Sequence, residues 1–339
     1  MILDEEERFI TRQAELLTGE PFAGRPVVFD DTTNFMYIDR GHFIRLEGDL
    51  FFVLGNEREG RFGIDEQPKF WVKRAISLAN GRKHILKLVC QEVFKIRIGN
   101  FQITCTRSGE KESKVLQLVQ GNKRFMQGRS ARDSRGNLVR VIDFIEGVDL
   151  LSHIFSLNVS HEEYFQGYFP SILAWTTAAS RAIQFLNENG LCHGDIRNDH
   201  ILVERETKRF RWIDFDLTQD FSDFDLWSLG NILHYIVGKG FVSFRDALRE
   251  HPQLVGRLAD ADASIFFPYR VMNLGKIYPY LPNKLNGVLT RFSAGAPTWY
   301  DSISQLADDL GECSAIMGWP CEASCGQAST EDPGLSQLY

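Results

Sequence analysis

The stretch LCHGDIRNDHILVERETKRFRWIDFDL, residues 191–217, carries the pattern from which the fold can be argued. A His-Gly-Asp triplet ending at Asp195 precedes one short apolar run, and Asp214 follows the next. A turn followed by two strands in this order predicts that the two carboxylates, nineteen positions apart, come together. One carboxylate can then accept a hydroxyl proton and the other can hold a metal bridging phosphates, as phosphoryl transfer requires.

Composition limits the classes of protein that the chain can belong to. The 339 residues are 43% hydrophobic and carry a formal net charge of −7, which favours a packed core and argues against a nucleic-acid partner. No apolar stretch has transmembrane length, and the start MILDEEERFI lacks the basic character of a signal peptide. The six scattered cysteines indicate reduced thiols. We therefore expect a cytoplasmic protein without a membrane partner.

Hydrophobic periodicity predicts an α+β fold whose character changes near residue 146, from a β-rich first half to a mostly helical second half. Asn80-Gly81 is a hairpin signal between two strand-like runs, and a further hairpin is expected around Gly99-Asn100. The nearly all-apolar segment 224–238 predicts a helix buried on every side. Other predicted helices cover residues 5–18, 111–119, 168–190, 244–259 and 302–312, and residues 138–145 predict a buried strand.

Six segments in order resemble the protein kinase superfamily. HGDIRNDHIL with WIDFD resembles its catalytic and metal-binding loops, WVKRAISLANGRKHILKLV two strands of its small lobe, and KESKVLQLV its regulatory helix. VRVIDFIEGVDL is similar to the adenine-binding hinge and DLWSLG to the start of the central helix, while residues 281–310 are similar to the closing helices of bacterial Ser/Thr kinases. The resemblance covers roughly residues 46–312.

The resemblance implies a bilobal fold with a cleft that binds ATP and a divalent metal, Mg²⁺ or Mn²⁺. A small antiparallel β-rich lobe with one helix is expected at residues 46–146, after an N-terminal extension over residues 1–45. A mostly helical lobe is expected at residues 147–318, followed by a disordered tail at 319–339.

The resemblance also assigns roles to individual residues. Asp195 is the expected catalytic base, and Asp225 is expected to anchor the backbone of the turn before it. His193 is expected to pack against Phe215 and Leu116. Arg197 and Lys87 are expected to contact the transferred phosphate. The residues expected to bind the nucleotide are Gly60, Gly63, Lys87, Glu112, Asp143 and Ile145. The residues expected to bind the metal are Asp214, Asp216 and His200.

Taken singly, these residues also have ordinary structural interpretations. Lys87 alone would be a solvated strand lysine and Glu112 an ordinary surface residue of a helix. Gly60 and Gly63 would form only a turn, since their loop lacks the regular glycine spacing. The functional interpretation therefore depends on the order of the segments.

Three departures from the family pattern bear on function. Gly194 replaces the arginine that pairs with a phosphorylated activation loop, and the His-Gly-Asp triplet resembles aminoglycoside and choline phosphotransferases instead. Only eleven positions separate Asp214 from Asp225, too few for an activation segment. His200 occupies the position of a metal-binding asparagine, and Asp216 offers a compensating carboxylate.

We therefore expect an ATP-dependent phosphotransferase acting on a hydroxyl. By the family default the acceptor is Ser or Thr of an unidentified protein, and the short segment after Asp214 keeps a small-molecule acceptor open. A pseudokinase, binding nucleotide as a regulatory or scaffolding module, is the third possibility, favoured by His200 and the irregular glycine loop.

Overall fold

The computed structural model describes residues 4–61, 64–98 and 101–320. The chain is a mixed α+β protein that forms two compact units. The first unit contains residues Met1–Glu92 and Arg107–Ile145, and the second contains Val93–Thr106 and Glu146–Tyr339. No helix within the described residues is both long enough and apolar enough to cross a membrane.

The first unit is built on a seven-stranded sheet in the order β1-β2-β3-β4-β5-β9-β8. All neighbouring pairs are antiparallel except β1 and β2. The strands are β1 (Val28–Phe29), β2 (Phe43–Leu46), β3 (Asp49–Arg61), β4 (Ile64–Ser77), β5 (Lys83–Lys87), β8 (Gly128–Arg132) and β9 (Leu138–Asp143).

Local turn chemistry explains the hairpins of this sheet. Gly48, between β2 and β3, has φ of 93°, and Gly81, between β4 and β5, has φ of 70°, values that favour glycine. Asn80 accepts a hydrogen bond from the Arg82 amide at 2.9 Å, which completes the predicted Asn-Gly turn. The resemblance implies a glycine loop at residues 55–63 with an insertion after it, but residues up to Arg61 continue β3 and Ile64 begins β4. The two strands pair antiparallel, and residues 62 and 63 lie outside the described part.

Two helices pack in the first unit. Helix α1 (Glu5–Thr18) begins at a capping box formed by Asp4 and Glu7 and ends at Gly19, as predicted. Its buried residues Ile10 and Ala14 join a cluster with Phe43 and Phe52, so the N-terminal segment packs on the sheet. Helix α2 (Gly109–Leu118), N-capped by Ser108, carries Glu112 and lies against β8 and β9.

The second unit contains two small sheets and most of the helices. One sheet has the order β10-β11-β12 and the other β13-β7-β6. The strands are β6 (Glu92–Ile98), β7 (Phe101–Arg107), β10 (Gly147–Asp149), β11 (Ile201–Glu204), β12 (Phe210–Trp212) and β13 (Leu217–Gln219). The helices are α3 (Leu150–Ser156), α4 (His161–Gly167), α5 (Phe169–Glu188), α6 (Phe224–Gly238), α7 (Phe244–Glu250), α8 (Asn283–Thr290) and α9 (Ile303–Met317).

Helix α6 is the centre of this unit, and twelve of its residues are buried. Its bounds are those predicted from the apolar run, because a helix surrounded by protein needs no polar face. The prediction for residues 244–259 was wrong in length. Helix α7 ends at Glu250 because Pro252 cannot continue the hydrogen-bond ladder, and a single 3₁₀ turn follows at Pro252–Leu254.

The predicted hairpin at residues 92–107 is present as β6 and β7, with residues 99 and 100 outside the described part. In sequence it lies between β5 and α2 of the first unit. Its residues 93–106 nevertheless belong to the second unit, where β7 pairs with β13. At the C-terminal end, Trp319 packs against Phe165 and Phe169, and residues 321–339 lie outside the described part.

Candidate functional site

The turn of residues 193–195, here called the Asp195 turn, is held by a buried carboxylate from helix α6. Oδ2 of Asp225 accepts a hydrogen bond from the His193 amide at 2.7 Å, and Oδ1 accepts one from the Gly194 amide at 2.8 Å. Asp225 is only 4% exposed, so these charge-assisted hydrogen bonds are shielded from water. The anchoring role expected for Asp225 is therefore confirmed in its geometry.

The fold brings Asp214 to the Asp195 turn through the β11–β12 hairpin. Ile201 and Trp212 are cross-strand partners, so the residues on either side of the hairpin, His200 and Ile213, are neighbours. The amide of Ile213 donates to the carbonyl of His200 at 3.1 Å. Asp214 comes next, with φ of 69°, a left-handed conformation rare outside glycine. Such backbone strain persists only where surrounding contacts enforce it.

His200 lies between the two aspartates. Its Nδ1 is 2.7 Å from the carbonyl oxygen of Asp195, and 3.6 Å from Oδ2 of the same residue. Its Nε2 is 3.6 Å from Oδ2 of Asp214. Because a carbonyl only accepts, Nδ1 carries a proton, and in the neutral ring Nε2 then presents a lone pair to a carboxylate. Two acceptors facing each other in this way suit a cation between them.

The side chains of Asp195 and Asp214 are mostly buried, at 17% and 14% exposure. Asp216 is 1% exposed, and the ring of Phe215 packs against His193 with centroids 4.5 Å apart. The predicted packing role of His193 on Phe215 is thus confirmed. All three predicted metal-site residues lie in the second unit, close in sequence to the β11–β12 hairpin.

Arg197 is held in place by a residue that the sequence argument did not single out. Its Nε donates to Oδ1 of Asp199 at 2.9 Å, a second nitrogen pairs with Oδ2, and a third lies 4.0 Å from Oδ2 of Asp195. Burial opposes the ionisation of Asp199, but His200 in its protonated form, together with the hydrogen bond and the charge of Arg197, lowers the pKa of this carboxyl. The guanidinium is therefore fixed beside Asp195 with a permanent counter-charge.

The first unit contains the predicted ion pair of Lys87 and Glu112. Nζ of Lys87 lies 2.7 Å from Oε1 of Glu112, whose side chain is fully buried. Arg140 on β9 pairs with the other oxygen of the same carboxylate, Nε to Oε2 at 3.2 Å. Glu112 is thus shared by two buried cations.

The other predicted nucleotide-binding residues also belong to the first unit. Asp143 ends β9, and its amide donates to the carbonyl of Gln127 at 2.8 Å. Ile145 follows two residues after the end of β9. Gly60 lies near the end of β3, in the long hairpin, while Gly63 is outside the described residues.

Two residues with a part in these contacts were missed from the sequence: Arg140 and Asp199. Asp199 could have been found, because an acidic residue two positions after Arg197 in a short turn can reach its guanidinium. Arg140 gave no local signal, since it acts on Glu112, which is far away in the sequence.

Among the described residues, His200 and Asp214 could provide two ligands of a metal site but not a complete set. No group of three or more His, Cys, Asp and Glu side chains there has the geometry of a metal cluster. A divalent cation bound near His200 and Asp214 would need further ligands, and phosphate oxygens of a nucleotide are the usual ones for Mg²⁺. The 3.6 Å between the two acceptor atoms is short enough for one ion to contact both, since bonds to nitrogen or oxygen are about 2.0–2.2 Å long.

No protein-family model matches the chain, and no curated protein matches it in sequence.

Proposed function

We propose that this protein is an ATP-dependent phosphotransferase with a protein-kinase-like bilobal architecture that transfers the γ-phosphate to a hydroxyl group. The observation that carries the proposal is the position of His200 within 3.6 Å of both the Asp195 and the Asp214 carboxylates. Two carboxylates around one basic ring match the need for a proton acceptor beside a metal-binding group.

In this proposal Asp195 accepts the proton of the attacking hydroxyl. Arg197, fixed by Asp199, stabilises negative charge on the transferred phosphate. Asp214, with His200 and Asp216, would hold a divalent cation, Mg²⁺ or Mn²⁺, which would supply charge neutralisation for the phosphates.

The first unit supports the same function independently. Lys87 with Glu112 provides a buried cation for the nucleotide phosphates, and Arg140 pairs with the other oxygen of the same carboxylate. The Asp143 carbonyl and the Ile145 backbone are the groups expected to bind adenine, and Gly60 lies near the end of β3.

A second candidate, a nucleotide-binding pseudokinase, is favoured by His200 at the position of the metal-binding asparagine. Binding without turnover would then require Lys87 and Glu112 but not Asp195.

The acceptor is a hydroxyl of a protein Ser or Thr residue or of a small molecule. The short connection between Asp214 and Asp225 favours the small molecule, since it leaves little chain to hold a peptide. Incubation with labelled ATP and either a cell lysate or a metabolite mixture separates the two.

Consumption of ATP by the purified protein tests the proposal. We expect turnover that Asp195→Asn lowers by about a thousandfold, consistent with the loss of a general base. Asp223→Asn is a matched control, because Asp223 is exposed and makes no capping hydrogen bond at the start of α6. Equal turnover in Asp195→Asn and wild type would reject the proposal, and ATP binding without turnover in either would favour the pseudokinase.

A further inference from the structure

The carbonyl of Gly194 is held by a side chain from outside the Asp195 turn. Nε2 of Gln219 donates to this oxygen at 2.8 Å, and Sγ of Cys105 lies 2.7 Å from Oε1 of Gln219. A carbonyl only accepts and a thiol donates, so these two neighbours are compatible with one orientation of the Gln219 amide. Gln219 therefore joins the Asp195 turn to strand β7.

The hairpin β6–β7 holds the segment that carries Gln219. Gln219 ends β13, which pairs with β7. The amide of Thr104 donates to Oδ1 of Asp220 at 2.8 Å, and the amide of Asp220 donates to the carbonyl of Thr104 at 3.2 Å. The first of these bonds is the main reason why the pKa of Asp220 is lowered. The chain is thus tied to the hairpin six positions after Asp214.

Both polar groups of the Gly194 backbone are now accounted for. Its amide is bound by Asp225 and its carbonyl by Gln219, and the two side chains come from different elements. The next carbonyl, that of Asp195, is bound by His200. Gly194 has φ of 81°, and a glycine can rotate easily to other backbone conformations unless hydrogen bonds fix it. A displacement of about 1 Å in a reacting group can lower a rate by about a hundredfold.

We propose that Gln219 is a positioning residue for Asp195 and that the β6–β7 hairpin is its permanent support. These hydrogen bonds would hold the Asp195 turn in place, as a phosphorylated loop does in proteins that have an arginine in place of Gly194. This inference rests on the proposed phosphotransfer and deepens it, because it names the device that keeps the site competent without covalent switching.

Substitutions at Gln219 separate its two hydrogen bonds. Gln219→Met keeps the length of the side chain and removes both, while Gln219→Glu keeps an acceptor for Cys105 and cannot donate to Gly194. We expect both to lower kcat by about tenfold, since one lost hydrogen bond of about 1.4 kcal/mol has this effect. KM for ATP stays unchanged, because the Lys87–Glu112 pair is not altered.

Two further variants test the support from the hairpin. Asp220→Ala removes an exposed side chain that accepts from Thr104, and we expect kcat to fall severalfold in the same direction without loss of fold. Cys105→Ser keeps a donor to Gln219 and is expected to stay within about twofold of wild type. Asp223→Ala, in the same segment and without a capping hydrogen bond, is the control.

The outcomes distinguish this inference from the proposed function. If Gln219→Met and Gln219→Glu have the kcat of wild type while Asp195→Asn is inactive, the positioning role of Gln219 is overturned and the proposed phosphotransfer is not. If wild type shows no turnover at all, hydrogen exchange decides instead. We then expect the peptide covering residues 191–197 to exchange about tenfold faster in Gln219→Met than in wild type, and unchanged exchange would overturn the inference.

Discussion

Arg140 and Glu112 form an ion pair in the interior of the first unit, on the carboxylate that also binds Lys87. Nε of Arg140 lies 3.2 Å from Oε2, and Nζ of Lys87 lies 2.7 Å from Oε1. Helix α2 approaches Arg140 so closely that a Cβ on Gly109 would lie 2.6 Å from its guanidinium. Glycine at this position therefore permits the close approach, and the helix that carries Glu112 is fixed to β9 as well as to β5.

Lys87→Ala is expected to weaken nucleotide binding while leaving the protein folded. Loss of a charge-assisted contact to phosphate of about 1.5–3 kcal/mol lowers ATP affinity or turnover by roughly tenfold or more. Arg140 still neutralises Glu112 in this variant, so the buried carboxylate does not become unpaired. Calorimetry with ATP, steady-state kinetics and urea unfolding measure these effects.

Arg140→Met is the matched comparison, since it removes the other cation and keeps Lys87. We expect it to lower the free energy of unfolding by about 1.5–3 kcal/mol through the loss of a hydrogen bond to a charged group, while Lys87 still neutralises Glu112. Its effect on ATP affinity is expected to be smaller than that of Lys87→Ala. Unchanged ATP affinity and kinetics in Lys87→Ala would contradict a phosphate-binding role for this lysine.

Activity is expected to be independent of autophosphorylation. Gly194 cannot bind a loop phosphate, and the segment from Asp214 to Asp220 is held by the β6–β7 hairpin instead. Phosphatase-treated protein should therefore have the same kcat as untreated protein, which coupled ATPase measurements can establish. A large loss that preincubation with ATP restores would show that a phosphate is required.

Metal preference is expected to depend on His200. When Nδ1 donates to the Asp195 carbonyl and the ring is neutral, Nε2 offers a lone pair on the side of Asp214, and Mn²⁺ accepts nitrogen ligands more readily than Mg²⁺. We expect wild type to be several times more active with Mn²⁺, and His200→Asn to shift the preference towards Mg²⁺. Asp216→Ala is expected to lower activity with both metals.

Metal-dependence curves for wild type and both variants decide the point. An unchanged preference in His200→Asn would mean that the ring serves only to hold the Asp195 carbonyl. Full activity of both variants with either metal would place the ligands elsewhere.

Lys73 is expected to make the stability of the first unit depend on pH. Lys73 is fully buried, and its ammonium donates to the carbonyls of Phe35 and Ile38 and to Oδ1 of Asn56. Burial lowers the pKa of Lys73 to about 8, although the charge of Asp39 acts to raise it. Between this value and the ordinary 10.5, the unfolded lysine binds a proton that the folded one has released. This group's contribution to the free energy of unfolding therefore rises with pH across that window.

Below about pH 8 the cost of burying the charged lysine is fully present. Urea unfolding of wild type and Lys73→Met at several pH values from about 7.5 to 10 isolates the contribution, since other groups titrate in both proteins. We expect the free energy of unfolding of wild type to increase relative to that of Lys73→Met as pH rises. A constant difference would contradict the lowered pKa.

The sequence by itself determined the elements and turns that depend on neighbouring residues. Helix α1 between Asp4 and Gly19, the Asn80-Gly81 hairpin and the buried helix α6 all appear where they were predicted. Capping, left-handed glycines and apolar periodicity act over a few residues, so they can be recognised in a linear sequence. The same holds for Asp195 and Asp214, which a single β-hairpin brings together.

Only the tertiary structure decided which distant groups complete these local features. Arg140 binds Glu112 from 28 positions away, and Gln219 reaches Gly194 from 25. The hairpin of β6 and β7 lies in sequence between Lys87 and Glu112, yet it pairs with β13 of the second unit. Such contacts follow from the choice of strand partners, which is set by the burial of whole faces and not by the residues on either side in the sequence.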